Sequence, residues 1–245
     1  MNRGVDSKMN DELIYSEQWN VSSKYFYDKG YYAWMADKLT AYKIVLEVGC
    51  GTGYSTLALV ERGYKVIAVD KNPECLEKAK ALLSEKGYIN GEVSFVAGDI
   101  VVDEIRNELI NKFEFDVVIC WNVGTYWNRQ MIEYYLPCML EYGLNRQQIA
   151  SNPESSYSEL IIWDACRLAK AKGVASHIVD RGAEVINAQT DPYYYTLKDE
   201  FGFSSNEYDN KVADSISGGG RMLTTNGTIN TETKINIIFI SIMYR

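Results

Sequence analysis

The chain has one histidine, His177, and five cysteines, at 50, 75, 120, 138 and 166. The cysteines are odd in number and scattered without metal-ligand spacing. That pattern argues against a zinc site and against a disulfide framework, so reduced thiols and no metal are expected. No apolar run approaches the about 18 residues of a membrane span. The run Ile235–Met243 is strand-length and contains Asn236 and Ser241. Positive charge is also scarce: 25 Lys and Arg stand against 33 Asp and Glu, a net charge of −8. A phosphate-backbone partner wants a clustered basic surface, so nucleic acid is disfavoured. The densest basic stretch, residues 167–172, reads as the solvated last turn of a helix, where positive charge suits the dipole. Residues 1–10 are polar, and no signal peptide is expected. A cytoplasmic location follows as the expectation.

Against these absences stand an apolar fraction of 47% over 245 residues, enough for one well-buried α/β domain. The most informative stretch is Ile44-Val-Leu-Glu47-Val-Gly49-Cys50-Gly51-Thr-Gly53. A short apolar run ends beside an acid, three glycines alternate, and a helical pattern starts at Tyr54. This is a buried strand turning tightly into a helix, with glycines that permit positive φ and close approach of a ligand. A second apolar run, Lys65–Val69, ends at Asp70, 17 residues after Gly53. An acid at that strand tip is placed to grip a ribose diol.

These motifs, with Gly98-Asp99-Ile100 and Phe115-Asp116-Val117-Val118-Ile119, resemble the class I S-adenosylmethionine-dependent methyltransferase family. The resemblance runs from about Ile44 to Asn122 and more loosely beyond. The dinucleotide pattern Gly-x-Gly-x-x-Gly is absent, because the third glycine comes one residue early. The resemblance implies S-adenosylmethionine as cofactor. It also implies a doubly wound, mostly parallel α/β sheet of seven strands, ordered 3-2-1-4-5-7-6, with the last strand antiparallel.

Several residues acquire roles from it. Gly49, Cys50, Gly51 and Gly53 would pack against the amino-acid end and ribose. Glu47 would meet the amino group or orient the glycine loop. Asp70, followed by Lys71, would take the ribose hydroxyls, a pairing strengthened by charge. Asp99 would take the adenine amino group or cap the next helix, with Ile100 beside the ring. Cys120 and Trp121, ending strand four, would approach the methionine part, and Asn122 would face the transfer site. The (Asp/Asn/Ser)-Pro-Pro-(Tyr/Phe) signature of amino-methylating DNA enzymes is replaced here by Asn-Val-Gly-Thr, which counts against base methylation. A general base is harder to place. His177, in strand five, and Asp180 at its end are candidates, with a packed sheet histidine as the alternative. Tyr126 and Trp127 follow the site, and Tyr193-Tyr194-Tyr195 lies past strand five. Such tyrosines form either ordinary core or an aromatic wall for a planar or cationic substrate.

The segments divide as a helical cover (1–43, with a helix over Tyr25–Leu39 whose Tyr25, Tyr27 and Tyr31 could cover the cofactor), a cofactor half (44–125), an insert (126–157) and a C-terminal half (158–245). Helices are expected over Tyr54–Arg62, Pro73–Lys86, Val101–Lys112, Leu160–Lys172 and Tyr194–Phe201. Residues 209–234, rich in Gly, Ser, Thr and Asn, read as a hairpin loop or a lid. The expected activity is methyl transfer to oxygen or nitrogen of a small-molecule substrate. The rivals are a protein or RNA methyltransferase of the same fold and a non-catalytic cofactor-binding subunit.

Overall fold

The computed structural model describes residues 3–88, 91–124, 129–191, 193–216 and 234–245, with side chains from residue 11 onward except those of 129, 130 and 132. The strands are β1 (Ile44–Val48), β2 (Lys65–Asp70), β3 (Val93–Ala97), β4 (Val117–Trp121), β5 (Ala175–Gly182), β6 (Asn206–Ile216) and β7 (Lys234–Tyr244). They form one sheet in the order β3-β2-β1-β4-β5-β7-β6. Pairing is parallel from β3 to β5, while β7 runs antiparallel to both β5 and β6. This is the fold class and strand order expected from the sequence.

Alternation along the strands builds two apolar layers. Val45, Val66, Ala68, Ile119, Trp121 and Val179 face one side, with helices α1 (Arg3–Asp28), α2 (Tyr31–Ala36), α3 (Tyr54–Val60) and α4 (Pro73–Glu85). Leu46, Val69, Val118, Cys120 and Ile178 face the other. That side carries α5 (Asp103–Lys112), α6 (Arg129–Glu141), α7 (Arg146–Ser151), α8 (Pro153–Lys172) and α9 (Tyr194–Phe201). Central strands buried on both faces explain why their sequences read as continuous apolar runs.

Helix α4 starts where Asn72 accepts from the backbone N–H groups of Glu74 and Cys75, with Pro73 in the first turn, a cap contributing about 1 kcal/mol. Helix α8 begins seven residues before the expected Leu160, because Asn152 caps Ser155 and Pro153 opens the first turn. The single helix expected over Tyr25–Leu39 is broken at Gly30, whose φ of 70° ends the helical run. Its parts are the end of α1, α2 and a 3-10 turn at Asp37–Leu39. The expected loop over 209–234 begins later: Asp209–Ile216 pairs with β7. The Gly218-Gly219-Gly220 run falls in 217–233, outside the described residues.

Helix α1 is tied across the carboxyl ends of the strands. Ser23 Oγ and Thr52 Oγ1 share a 2.8 Å hydrogen bond, Asn72 Nδ2 donates to the Glu12 carbonyl at 3.0 Å, and Lys78 pairs with Glu17. Tyr25 and Tyr31, candidates for covering a cofactor, instead donate to Asp214 on β6, and Tyr27 donates to Glu61. Among the described residues no helix is long and apolar enough to cross a membrane. All five cysteines are free thiols.

Candidate functional site

The β1–α3 turn places Gly49, Gly51 and Gly53 at φ of 75°, 53° and 88°. The N–H groups of Gly49 and Cys50 both reach the Val69 carbonyl, at 2.8 and 3.1 Å, locking the turn to β2. Asp70 completes the clamp. Its carboxylate accepts from the Gly51 N–H and the Asn72 N–H, each at 2.8 Å. Burial pushes the Asp70 carboxyl up from its ordinary range, opposed by these two hydrogen bonds and the Lys71 charge.

An open cavity lies beside this turn at the carboxyl edge of the sheet. Gly49, Gly51, Asp70, Lys71, Asp99, Ile100 and Asn122 all line it, so seven of the expected site residues come together. Asp99 accepts from the Val101 N–H at 3.0 Å and from the hydroxyls of Tyr135 and Tyr157. Asp99 does not cap the next helix, which starts at Asp103 after Val102; it holds the turn before that helix, beside its place in the cavity wall. Lys71 Nζ lies 3.8 Å from the Tyr157 ring centroid and 3.8 Å from Asp99.

Asn122 follows β4 at φ 52°, a left-handed conformation unusual outside glycine. Its side chain is 1% exposed, and its Oδ1 has no hydrogen-bond partner among the described residues. A buried unpaired carbonyl of this kind costs about 1–3 kcal/mol. At a cavity wall it is an acceptor waiting for a donor.

Other expected residues do not reach the cavity. Trp121 is the last residue of β4. The pleat then sends Cys120 into one apolar layer and the Trp121 indole into the other. The Trp121 indole N–H donates to His177 Nδ1 at 3.1 Å. An indole nitrogen can only donate, so Nδ1 accepts and the imidazole proton sits on Nε2, 2.8 Å from Ser241 Oγ. His177 is fully buried, and desolvation lowers its pKa to about 3. It is a neutral sheet histidine, and the base role considered for it is withdrawn. Asp180 accepts from the Tyr194 hydroxyl at 2.9 Å, and Tyr193 shares a hydrogen bond with Tyr142.

Glu47 lies behind the glycine turn, accepting from Ser55 Oγ and, at 2.6 Å, from Thr56 Oγ1. Burial pushes its carboxyl up to about 7. It orients the start of α3 and has no place in the cavity wall. Cys50 packs into the apolar layer on the α1 side. Gly53 serves helix packing, since a Cβ there would lie 2.8 Å from Ala79 of α4. Tyr126 and Trp127 lie outside the described residues.

The sequence reading missed Tyr15 and Trp19 of α1 and Tyr157 of α8, all of which line the cavity. A Cβ on Gly51 would collide with the Trp19 indole, so the glycine accommodates the helical cover. The available signal was the coincidence of a Gly-rich turn with a tryptophan in a polar N-terminal helix, which has no characteristic spacing.

Residues 45–141 match a family described as a methyltransferase domain. The match covers less than half of the chain, and over those residues the chain is similar to a methyltransferase domain. The chain is similar to a magnesium-protoporphyrin O-methyltransferase of Rhodobacter capsulatus, 41% identical over 66 residues, covering 27% of this chain and 28% of that protein. It is also similar to a cypemycin N-terminal methyltransferase of Streptomyces sp., 32% identical over 114 residues, covering 46% of this chain and 42% of that protein. The matched segments thus span well under half the length of these relatives. Among solved structures, a SAM-dependent methyltransferase from Agrobacterium tumefaciens aligns with a TM-score of 0.50 at 11% identity, over 89% of this chain and 62% of that one.

S-adenosylmethionine is the cofactor that the resemblance implies, and the lining of the cavity suits it. Val48, Val69, Ile100 and Ile161 supply flat apolar wall, and Asp70 and Asp99 supply acceptors. Two carboxylates beside a glycine turn suit a ligand rich in hydroxyl and amino donors and carrying positive charge. They oppose a pyrophosphate, which agrees with the missing dinucleotide pattern.

Proposed function

We propose that this chain transfers a methyl group from S-adenosylmethionine to oxygen or nitrogen of a small-molecule acceptor. The observation that carries the reading is the cavity uniting Gly49, Gly51, Asp70, Asp99 and Asn122 at the carboxyl edge of the sheet. The cofactor supplies an electrophilic methyl on a sulfonium centre; the protein's task is to hold and align. Asp70, already fixed by two backbone N–H groups, takes the ribose hydroxyls with its remaining lone pairs. Asp99 takes the adenine amino group, with Ile100 against the ring. Asn122 Oδ1 accepts from the N–H or O–H of the acceptor and aligns it toward the methyl. Tyr126, just beyond, is the further candidate for the acceptor side.

Helix α1 supports the small-molecule reading. Tyr15 and Trp19 wall the cavity, and a cover of this kind excludes water and leaves room for a compact acceptor. The insert contributes Tyr157 and, through Asp99, Tyr135. Matches to protein-L-isoaspartate O-methyltransferases, one 47% identical over 58 residues, favour a peptide acceptor as the second reading.

The test is calorimetric titration with S-adenosylhomocysteine. The wild type is expected to bind one equivalent. Asp70→Ala is expected to bind about 10- to 150-fold more weakly while keeping its far-UV circular dichroism, the loss of a charged hydrogen-bonding group. No binding by the wild type would overturn the reading. Labelled-methyl transfer into small metabolites or into peptides then separates the two acceptors.

A further inference from the structure

Arg181 is a half-buried cation at the edge of the cavity. It sits near the end of β5, one strand from Asn122, and projects toward α1. One of its guanidinium nitrogens lies 3.9 Å from where a Cβ of Gly124 would be, and the Tyr15 hydroxyl lies 3.4 Å from the same point. Its guanidinium carbon sits 5.9 Å from the Trp19 ring centroid. Tyr15, Trp19 and Gly124 all line the cavity. Arg181 therefore borders it where β4 and β5 end, away from Asp99.

The Arg181 side chain forms no ion pair and donates no hydrogen bond among the described residues; only its backbone N–H is used, toward Asp180 Oδ1 at 2.7 Å. Asp180 directs its other oxygen to the Tyr194 hydroxyl. This is unusual company for an arginine in a chain with eight more acids than bases. A partly desolvated guanidinium ordinarily finds a carboxylate, and its planar fork matches one in two parallel hydrogen bonds. Trp19 lies within cation–π range of the guanidinium, and Gly124, lacking a side chain, leaves the approach open.

We infer that Arg181, beside Trp19 and flanked by Tyr15, anchors a carboxylate of the ligand that occupies this end of the cavity. The inference rests on the methyltransferase reading above. The carboxylate belongs either to the acceptor substrate or to the methionine end of the cofactor. With Asn122 Oδ1 as acceptor nearby, the corner offers one cationic donor and one neutral acceptor, complementary to an acid that also carries an N–H or O–H.

The experiment compares S-adenosylhomocysteine with 5′-methylthioadenosine, which lacks the carboxylate, by calorimetry on wild type, Arg181→Ala and Arg181→Lys. Benzoate and benzamide are then titrated into the homocysteine-saturated proteins. If the carboxylate is the cofactor's, Arg181→Ala weakens S-adenosylhomocysteine by about tenfold or more and leaves methylthioadenosine unchanged, with Arg181→Lys between. If it is the acceptor's, S-adenosylhomocysteine binds all three alike. Benzoate, but not benzamide, then binds the wild type and is lost in Arg181→Ala. Methylthioadenosine doubles as the fold control; should Arg181→Ala lose it, Arg181→Lys decides by the ratio of the two nucleoside affinities. An unchanged ratio together with no benzoate preference overturns the inference. Failure of the wild type to bind either nucleoside overturns the methyltransferase reading itself and this inference with it.

Discussion

Both oxygens of Asp70 are engaged by backbone N–H groups before any ligand arrives. The residue is therefore a clamp on the glycine turn as well as a wall of the cavity. The sequence places it at a strand tip, and the structure makes that tip partly buried. Gly51 shows the same dual use. Gly51→Val would place a β-branched side chain at a φ of 53° and into the Trp19 indole. Loss of S-adenosylhomocysteine binding is expected, with the Trp19 environment altered in the fluorescence spectrum even without ligand. A folded variant that binds normally would contradict the placement of the turn.

His177 gives a pH test with a definite sign. Its folded-state pKa of about 3 lies below the ordinary 6.5, so between those values the unfolded chain binds more protons. Stability from this residue is fully present above about 6.5 and is lost as pH falls toward 3. Glu47 acts oppositely: with its carboxyl raised from 4.5 to about 7, its contribution falls as pH rises through that window. His177→Gln should therefore raise the urea midpoint at about pH 4.5 relative to that at about pH 7.5, compared with the wild type. It should also leave methyl transfer in place, because the ring does not reach the cavity. A variant that folds, binds cofactor and has lost transfer would restore His177 as a base.

At the scale of elements, helix α1 is the least legible part and the most consequential. Residues 11–24 are polar for most of their length, and Trp19 stands in them without a neighbouring apolar stripe. Its helix is stabilised by partners distant in sequence: Thr52, Asn72, Lys78 and the Gly51 turn. Hydrogen exchange should report the link. Residues 11–28 are expected to gain protection on binding S-adenosylhomocysteine, more than α9 on the far side does. Equal change in both would separate α1 from the site. By contrast β1, β2 and α4 were legible because their signals are local: buried apolar runs, a glycine turn, and an Asn-Pro start. Cys120 and Trp121 were both expected at the cofactor, but adjacent strand residues point to opposite faces, so β4 buries one in each apolar layer. Asn122 reaches the cavity because it lies beyond the last strand residue, where the turn and not the pleat sets direction.

Taken whole, the molecule is a sheet with two apolar layers and a site where those layers end. Strand order β3-β2-β1-β4-β5 puts the tips of β1, β2, β3 and β4 beside one another, and α1 is laid across them. This juxtaposition creates the cavity, and parallel sheets open their ligand crevice at that edge. The site residues were readable where they belong to turns after strands. Residues reaching the cavity from α1 and α8 were not, because packing of distant segments places them.

The central claim is that this cavity holds S-adenosylmethionine with its sulfur toward Asn122. The most direct measurement is a crystal structure of the complex with S-adenosylhomocysteine. The account predicts ribose hydroxyls within hydrogen-bond distance of Asp70, the adenine amino group at Asp99 beside Ile100, and the sulfur on the Asn122 side under Tyr15 and Trp19. The ligand bound elsewhere, or in this cavity with its adenine at Asn122 and its sulfur at Asp99, would contradict it.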